Sequence, residues 1–213
     1  MTISGIAHSQ KEIFFQNRTK KTPILVYLSD KKENMGKMAV KDLLYSMGID
    51  IKNSNIVIEK LDSGQPKVHL QEIKSNKNIN LSFSHKGKYH LVAVGLTPIG
   101  IDIEKKRNFS LNFINKILTK NEIEDINKIF YFINTKKEEV DINFACTCLF
   151  SLKESVSKAI GKGLAINFHR IIIKYDKNSI KIKINHSDLA FEGYLKYEKG
   201  HIISLVEAIN LTA

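Results

Sequence analysis

An α+β fold built from two related halves is predicted by three observations. Short runs alternate apolar and polar residues with the period of two expected of half-buried strands, as in "INLSFSH" (79–85) and "PIGIDIE" (98–104). A helical pattern followed by strand patterns occurs twice, once on each side of residue 98. Short polar turns, rather than long crossovers, join most of the runs, which favours antiparallel pairing. The halves are placed at 1–98 and 99–213, with the second carrying most of the acidic chemistry.

Along the chain, "TPILVYL" (22–28) is the first strand pattern and "KENMGKMAVKDLLYSMG" (32–48) the first helix. Val40, Leu43, Leu44 and Met47 share a face of that helix, and Gly48 stands where a C′ glycine belongs. "SNIVIEKL" (54–61) reads as a strand, followed by turn chemistry in "DSGQP". Then "INLSFSH" and "KYHLVAVGL" (88–96) form a hairpin across a Lys-Gly turn. "SLNFINKIL" (110–118) and "TKNEIEDINKIF" (119–130) read as helices, the second opened by a capping box, Thr119-x-x-Glu122. A long helix covers roughly 142–160, and from 168 the chain turns to β: "FHRIIIKY", "SIKIKIN", "AFEGYLKY" and "HIISLVEA".

At 213 residues the chain can bury a sizeable core. With 33 basic and 22 acidic side chains, its net charge of +11 favours a polyanionic ligand: nucleic acid, an acidic membrane surface, a phosphorylated metabolite or an acidic protein. Basic residues are dispersed and no nucleic-acid module is recognisable, so a nucleic-acid partner is not expected. No window approaches the ~20 apolar residues of a membrane span, and the N-terminus has no uninterrupted apolar stretch of the secretory kind. Cys146 and Cys148, the two cysteines, sit in "FACTCLF" without a second ligand pair. They read as buried free thiols suited to a reducing, cytoplasmic compartment.

Asp102 and Glu104 project from one side of "GIDIEKKR" while Ile101 and Ile103 face the other. Two carboxylates ~7 Å apart repel by about 0.5–2.5 kcal/mol. A solvated strand face tolerates that; a covered face requires a cation, and hard oxygen donors suit Mg²⁺ with a phosphate substrate rather than zinc. In "CLFSLKESVSKAIGKGL" (148–164), Leu149, Leu152, Val156, Ala159 and Ile160 form one helical face, with Phe150, Glu154 and Lys158 opposite. Glu154 and Lys158 are either an exposed i,i+4 pair or an acid and a base side by side at a reaction centre. Phe150 on the polar face is expected to await something that covers it. "SFSHKGK" offers Ser84, His85, Lys86 and Lys88 at a turn able to converge on an anion, and "GQPK" adds Lys67.

Taken in order, "FSHKG", "PIGIDIEK" and "FSLKESVSKAIGKGL" resemble the 4′-phosphopantetheinyl transferases of the surfactin-synthetase-activating type, most clearly over residues 79–167. The resemblance implies two pseudo-twofold-related halves with the active site in the cleft between them. It implies transfer of phosphopantetheine from coenzyme A to a serine of an apo acyl or peptidyl carrier protein, releasing adenosine 3′,5′-bisphosphate. Asp102, Glu104 and Glu154 would hold Mg²⁺; Glu154 would help deprotonate the serine, and Lys158 would neutralise phosphate charge. Ser84 and His85 would contact coenzyme A. Many members have a basic residue where Gln65 stands, and Lys67 is the expected substitute. Lys20, Lys21, Lys31, Lys32 and Lys37 are candidates for the 3′-phosphate. Many members also carry Trp in place of Phe150. A monomer is expected, because both halves of the cleft lie in one chain. The rival from another class is a non-catalytic homologue that binds coenzyme A or a carrier as a scaffold.

Overall fold

The computed structural model describes residues 10–12, 23–30, 34–71, 78–133, 141–162 and 166–209. Its first sheet is antiparallel, in the order β1 (Gln10–Glu12), β2 (Ile24–Ser29), β6 (Tyr89–Gly95), β5 (Asn80–Lys86). A separate ribbon pairs β3 (Ile56–Lys60) with β4 (Pro66–Leu70). The second sheet has the order β7 (Ile99–Glu104), β11 (His201–Ile209), β10 (Ala190–Glu198), β9 (Ser179–Ile184), β8 (Ile171–Asp176), again antiparallel throughout. Helix α1 (Met35–Ser46) covers the first sheet and α4 (Ile142–Ala159) the second, with α2 (Leu111–Ile117) and α3 (Lys120–Glu124) between β7 and α4 in sequence. The α+β class and the antiparallel sheets agree with the sequence pattern.

Side-chain alternation sorts three cores. Tyr27, Leu81, Val92 and Val94 pack on α1, whereas their neighbours Val26, Leu28, Leu91 and Ala93 meet Ile101, Ile103, Ile203 and Leu205 of the second sheet. Phe191, Ile202 and Val206 turn the other way, onto α4. The period of two thus gives each sheet a helix on its outer face and a shared apolar layer on its inner one.

Local signals act where expected. Gly48 has φ 79, and Ile49 N–H donates to Leu44 O, closing α1 as a Schellman motif. The Thr119–Glu122 capping box forms in both directions. The helix expected over 119–130 is instead broken: α3 ends at Glu124 and a 3₁₀ segment runs from Ile126 to Phe132. Ile126 and Ile129 are both buried, and their spacing of three suits a three-residue turn. Strands β1 and β4 are additions to the sequence reading; β4 begins directly after the "DSGQ" turn.

Candidate active site

The site is organised by β7, an edge strand buried on both faces. Its free edge meets β5, the edge of the other sheet, through side chains: Ser82 Oγ accepts from Ile101 N–H at 3.1 Å and Ser84 Oγ from Ile103 N–H at 3.3 Å. Serines at i and i+2 of one strand therefore satisfy the alternate backbone donors of another. On the opposite side α4 passes close to Gly100. A Cβ there would lie 1.8 Å from the Ser155 carbonyl oxygen, so only glycine admits the helix. Ser151 and Ser155 each meet the Ser204 hydroxyl at 2.7 Å, lining the contact with small polar groups.

This packing decides between the two readings of the acids. Asp102 and Glu104 are 5 % and 6 % exposed, so they are no solvated strand face. Asp102 accepts from Ser84 Oγ (2.9 Å), Ser151 Oγ (2.8 Å) and Lys158 Nζ (2.8 Å). Lys158 also donates to Ser84 Oγ and to Ile101 O. Glu104 is held by Lys86 at 2.6 Å and by the Arg107 guanidinium on both of its oxygens.

Glu154, half-buried on α4, is different. Among the described residues, its Oε1 is buried without a hydrogen-bond partner. Burial, then the negative charge of Asp102, push its pKa up to about 7, against the opposing pull of Lys158. A buried carboxylate oxygen is a hard donor of the kind Mg²⁺ takes, and Asp102 and Glu104 lie near enough to raise the Glu154 pKa. Among the described residues, no three His, Cys, Asp or Glu side chains are gathered into a ready-made metal shell. A cation here would compete with Lys158, Lys86 and Arg107 for the carboxylates.

Beside these groups opens a cleft of about 660 Å³. Ser84, His85, Phe83 and Lys158 line it, as does Lys37 at the start of α1. His85 stacks on His90, ring centroids 5.9 Å apart. The β3–β4 turn forms the far wall: Gln65 packs so closely on Gly161 that a Cβ there would lie 2.3 Å from its Oε1, and Gly161 takes φ 68. Both halves of the chain thus contribute to one cavity.

Several expectations are corrected. Phe150 is not held in reserve for a ligand. It is 8 % exposed, packed among Phe109, Phe113 and Phe168, with the Arg107 guanidinium 5.0 Å from its ring centroid. The helix face judged polar is therefore largely covered, because α2 and the chain after β7 fold over it. Lys67 does not line the main cleft; it borders a separate recess of about 310 Å³ beside Val68 and Asn80. Of the basic candidates, Lys37 lines the cleft, while Lys20, Lys21, Lys31 and Lys32 lie outside the described residues, as do Gly163 and Leu164 of the "GKGL" run. Cys146 and Cys148 are free and buried, as expected. Burial pushes both thiols up, Cys148 strongly.

Sequence reasoning missed Ser82, Ser151, Ser155 and Ser204. The i,i+2 spacing on β5 and the i,i+4 spacing on α4 are the available signals. It also missed Lys153, which is fully buried on α4. Its Nζ donates to Glu122 Oε2 (2.8 Å), Ile117 O (2.8 Å) and Phe168 O (3.0 Å). Burial holds its pKa below the usual lysine value, with Glu122 opposing.

A family model described as the 4′-phosphopantetheinyl transferase superfamily matches residues 98–206, a span that includes Asp102, Glu104, Glu154 and Lys158. The curated 4′-phosphopantetheinyl transferase Sfp of Bacillus subtilis (strain 168) is 26% identical over 163 residues, 75% of this chain and 66% of the relative. The 4′-phosphopantetheinyl transferase gsp of Aneurinibacillus migulanus is 26% identical over 150 residues, 70% of this chain and 56% of the relative. The matches thus span between about half and two-thirds of those relatives' length. Among solved structures, a Helicobacter pylori holo-[acyl-carrier-protein] synthase in complex with coenzyme A is 22% identical, with a TM-score of 0.42. It covers 52% of this chain and 99% of that chain.

Proposed function

The chain belongs to the 4′-phosphopantetheinyl transferase superfamily, and from that premise we propose that it moves the 4′-phosphopantetheine group of coenzyme A onto a serine of an apo acyl or peptidyl carrier protein. The observation that carries the reading is the meeting of Ser84, Asp102 and Lys158, with Ser84 and Lys158 lining the cleft and Glu154 near enough to feel the charges of Asp102 and Lys158.

In this reading the cleft takes coenzyme A. Ser84 and His85 contact its phosphates, and the Lys158 ammonium balances their charge. The carrier serine needs a base, and Glu154 supplies a carboxylate with a pKa near 7. The serine oxygen forms a bond to the pantetheine-side phosphorus of the pyrophosphate. The bond from that phosphorus to the bridging oxygen breaks, and adenosine 3′,5′-bisphosphate leaves with the electron pair. The serine proton passes to Glu154, directly or through one water. Asp102, Glu104 and Glu154 would hold Mg²⁺, which supplies charge neutralisation on the pyrophosphate. Asp102 meanwhile positions Lys158 and Ser84 through direct hydrogen bonds.

Such a protein works as a monomer in the cytoplasm, its half 1–98 lining most of the cleft and its half 99–213 adding Lys158 and Gly161. Among the described residues no helix is long and apolar enough to cross a membrane. The test is intact-mass spectrometry of several apo carrier proteins incubated with the protein, coenzyme A and Mg²⁺. A phosphopantetheine mass gain on at least one carrier is the expected result. No gain on any, under conditions where a known transferase modifies them, overturns the proposal. Coenzyme A binding by calorimetry without such a gain would instead favour a non-catalytic scaffold.

A further inference from the structure

Two hairpin turns come together at the end of β7 where Glu104 lies. The β5–β6 turn carries Gly87 and Lys88, and the β10–β11 turn carries Lys199 and Gly200. Ile202, just past the second turn, pairs with Glu104, and Lys86, at the start of the first, reaches the Glu104 carboxylate. The turns are joined through one aromatic ring. Lys88 Nζ lies 5.5 Å from the centroid of Tyr89 and Lys199 Nζ 5.6 Å from the same centroid. Tyr89 stands edge-on to buried His201 at 5.0 Å, and His201 Nδ1 donates to Lys199 O at 2.7 Å. The ring is thus fixed from beneath, and it gathers two ammonium groups that would otherwise splay apart.

The backbone adds a second, independent sign. Lys199 occupies the left-handed region (φ 51) in a two-residue turn where Asn, Asp or Gly fit best, so a cation sits there despite the conformation. Lys88 and Lys199 are both exposed, and among the described residues neither has a carboxylate within ion-pair distance. Lys86 and Arg107, by contrast, are engaged with Glu104, and Lys106 with Asp141. Neither lysine lines the cleft, so a small phosphorylated substrate held there does not meet them.

We infer that Lys88 and Lys199, held over Tyr89, dock the acidic face of the carrier protein and bring its serine to Glu154. The inference rests on the transferase reading above. Two uncompensated cations on a rigid ring, at the rim of the reactive carboxylates, match an acidic protein surface that must come close without entering the cleft. A membrane or nucleic acid would call for a broader unpaired field. Complementary charge of this kind speeds encounter and sets register, and salt weakens it.

The test compares steady-state kinetics of the wild type with Lys88→Glu/Lys199→Glu. The variant's KM for the carrier should rise ~10-fold or more at low salt, with KM for coenzyme A and kcat unchanged. Raising ionic strength should increase the wild type's carrier KM and narrow the gap. A short peptide bearing the acceptor serine but no acidic face should be modified equally by both proteins. Lys88→Gln/Lys199→Gln should fall between them, which separates lost attraction from misfolding. An unchanged carrier KM overturns the docking inference alone. Absence of transfer by the wild type overturns it together with the reaction. Phosphatidylglycerol vesicles that displace carrier from the wild type but not from the reversed variant would assign the patch to a membrane surface and overturn it as well.

Discussion

Gly100 on β7 faces the Ser155 carbonyl on α4 with no room for a single added carbon, the nearest approach being 1.8 Å from an ideal Cβ. The obstacle is backbone rather than a side-chain tip, so it cannot rotate aside. Gly100→Ala must push the helix that carries Glu154 and Lys158 away from the strand that carries Asp102 and Glu104. A loss of about 3 kcal/mol in urea unfolding is expected, the upper range for overpacking a tight contact. Transfer should fall even at temperatures where the variant is fully folded. A variant with wild-type stability and turnover would show that the two elements need not sit so close.

Glu154→Gln should have opposite effects on stability and activity. Burial and Asp102 already disfavour the ionised carboxylate, and one of its oxygens has no partner among the described residues. The neutral amide removes that strain, so the metal-free protein should melt a few degrees higher, about 2–4 °C for ~1 kcal/mol in a chain of this size. The wild type should gain stability on adding Mg²⁺ with coenzyme A, and the variant should gain far less. Transfer should drop at least ~100-fold, in line with loss of a positioned proton acceptor. Calorimetric scans with and without Mg²⁺, run beside the mass assay, separate these effects.

Which parts of this were legible in the sequence follows from where the determining contacts lie. The alternation of Ile99, Ile101 and Ile103, the capping box at Thr119 and the close of α1 at Gly48 all depend on neighbours within a few residues, and all were readable. Glu154 and Lys158 were readable as a helical pair. Their facing Asp102 was not a local signal, and only the family pattern joined them. The burial of Phe150 and the bonds between Ser82 and Ser84 and β7 depend on partners at separations of 18 residues or more. Lys153 was invisible for another reason: a lysine is almost never fully buried, and the acid that permits it lies 31 residues away.

Acid should weaken the start of α4 in a way that Asp141 controls. Its carboxylate caps the helix by accepting from Phe144 N–H at 2.9 Å and pairs with Lys106 at 2.6 Å. The Lys106 hydrogen bond first, and the backbone bond second, hold its pKa below the ordinary aspartate value of 3.8. A depressed folded pKa means that the unfolded chain takes up the proton first as pH falls. The stabilisation is therefore complete above pH ~4 and is lost as pH drops through the folded value. Asp141→Asn keeps a cap acceptor but has no proton to gain. Between pH ~5 and ~3 its melting temperature should fall by about 2 °C less than that of the wild type. Parallel slopes would assign the acid sensitivity to other carboxylates.

Lys153 and Glu122 form a fully enclosed ion pair whose hydrogen bonds reach α2, α3, β8 and the 3₁₀ turn at Phe168–Arg170. Desolvation of both charges offsets much of their attraction, so the pair contributes little net stability compared with a neutral replacement. Removing one member is another matter. Lys153→Met leaves the Glu122 carboxylate buried opposite a thioether and should cost about 3–5 kcal/mol. Glu122→Gln retains an acceptor for Ile173 N–H but leaves the ammonium facing an amide. The double variant Lys153→Met/Glu122→Gln removes both charges and should recover about 2 kcal/mol relative to Lys153→Met. A double-mutant cycle by denaturant unfolding measures this coupling directly. Strict additivity would mean that the two charges, though 2.8 Å apart, act independently. Because Lys153 precedes Glu154 on α4, the recovered double variant also asks whether a neutral clamp still aims Glu154 at the cleft. If position rather than charge is what Lys153 supplies, stability should return in the double variant while transfer stays impaired.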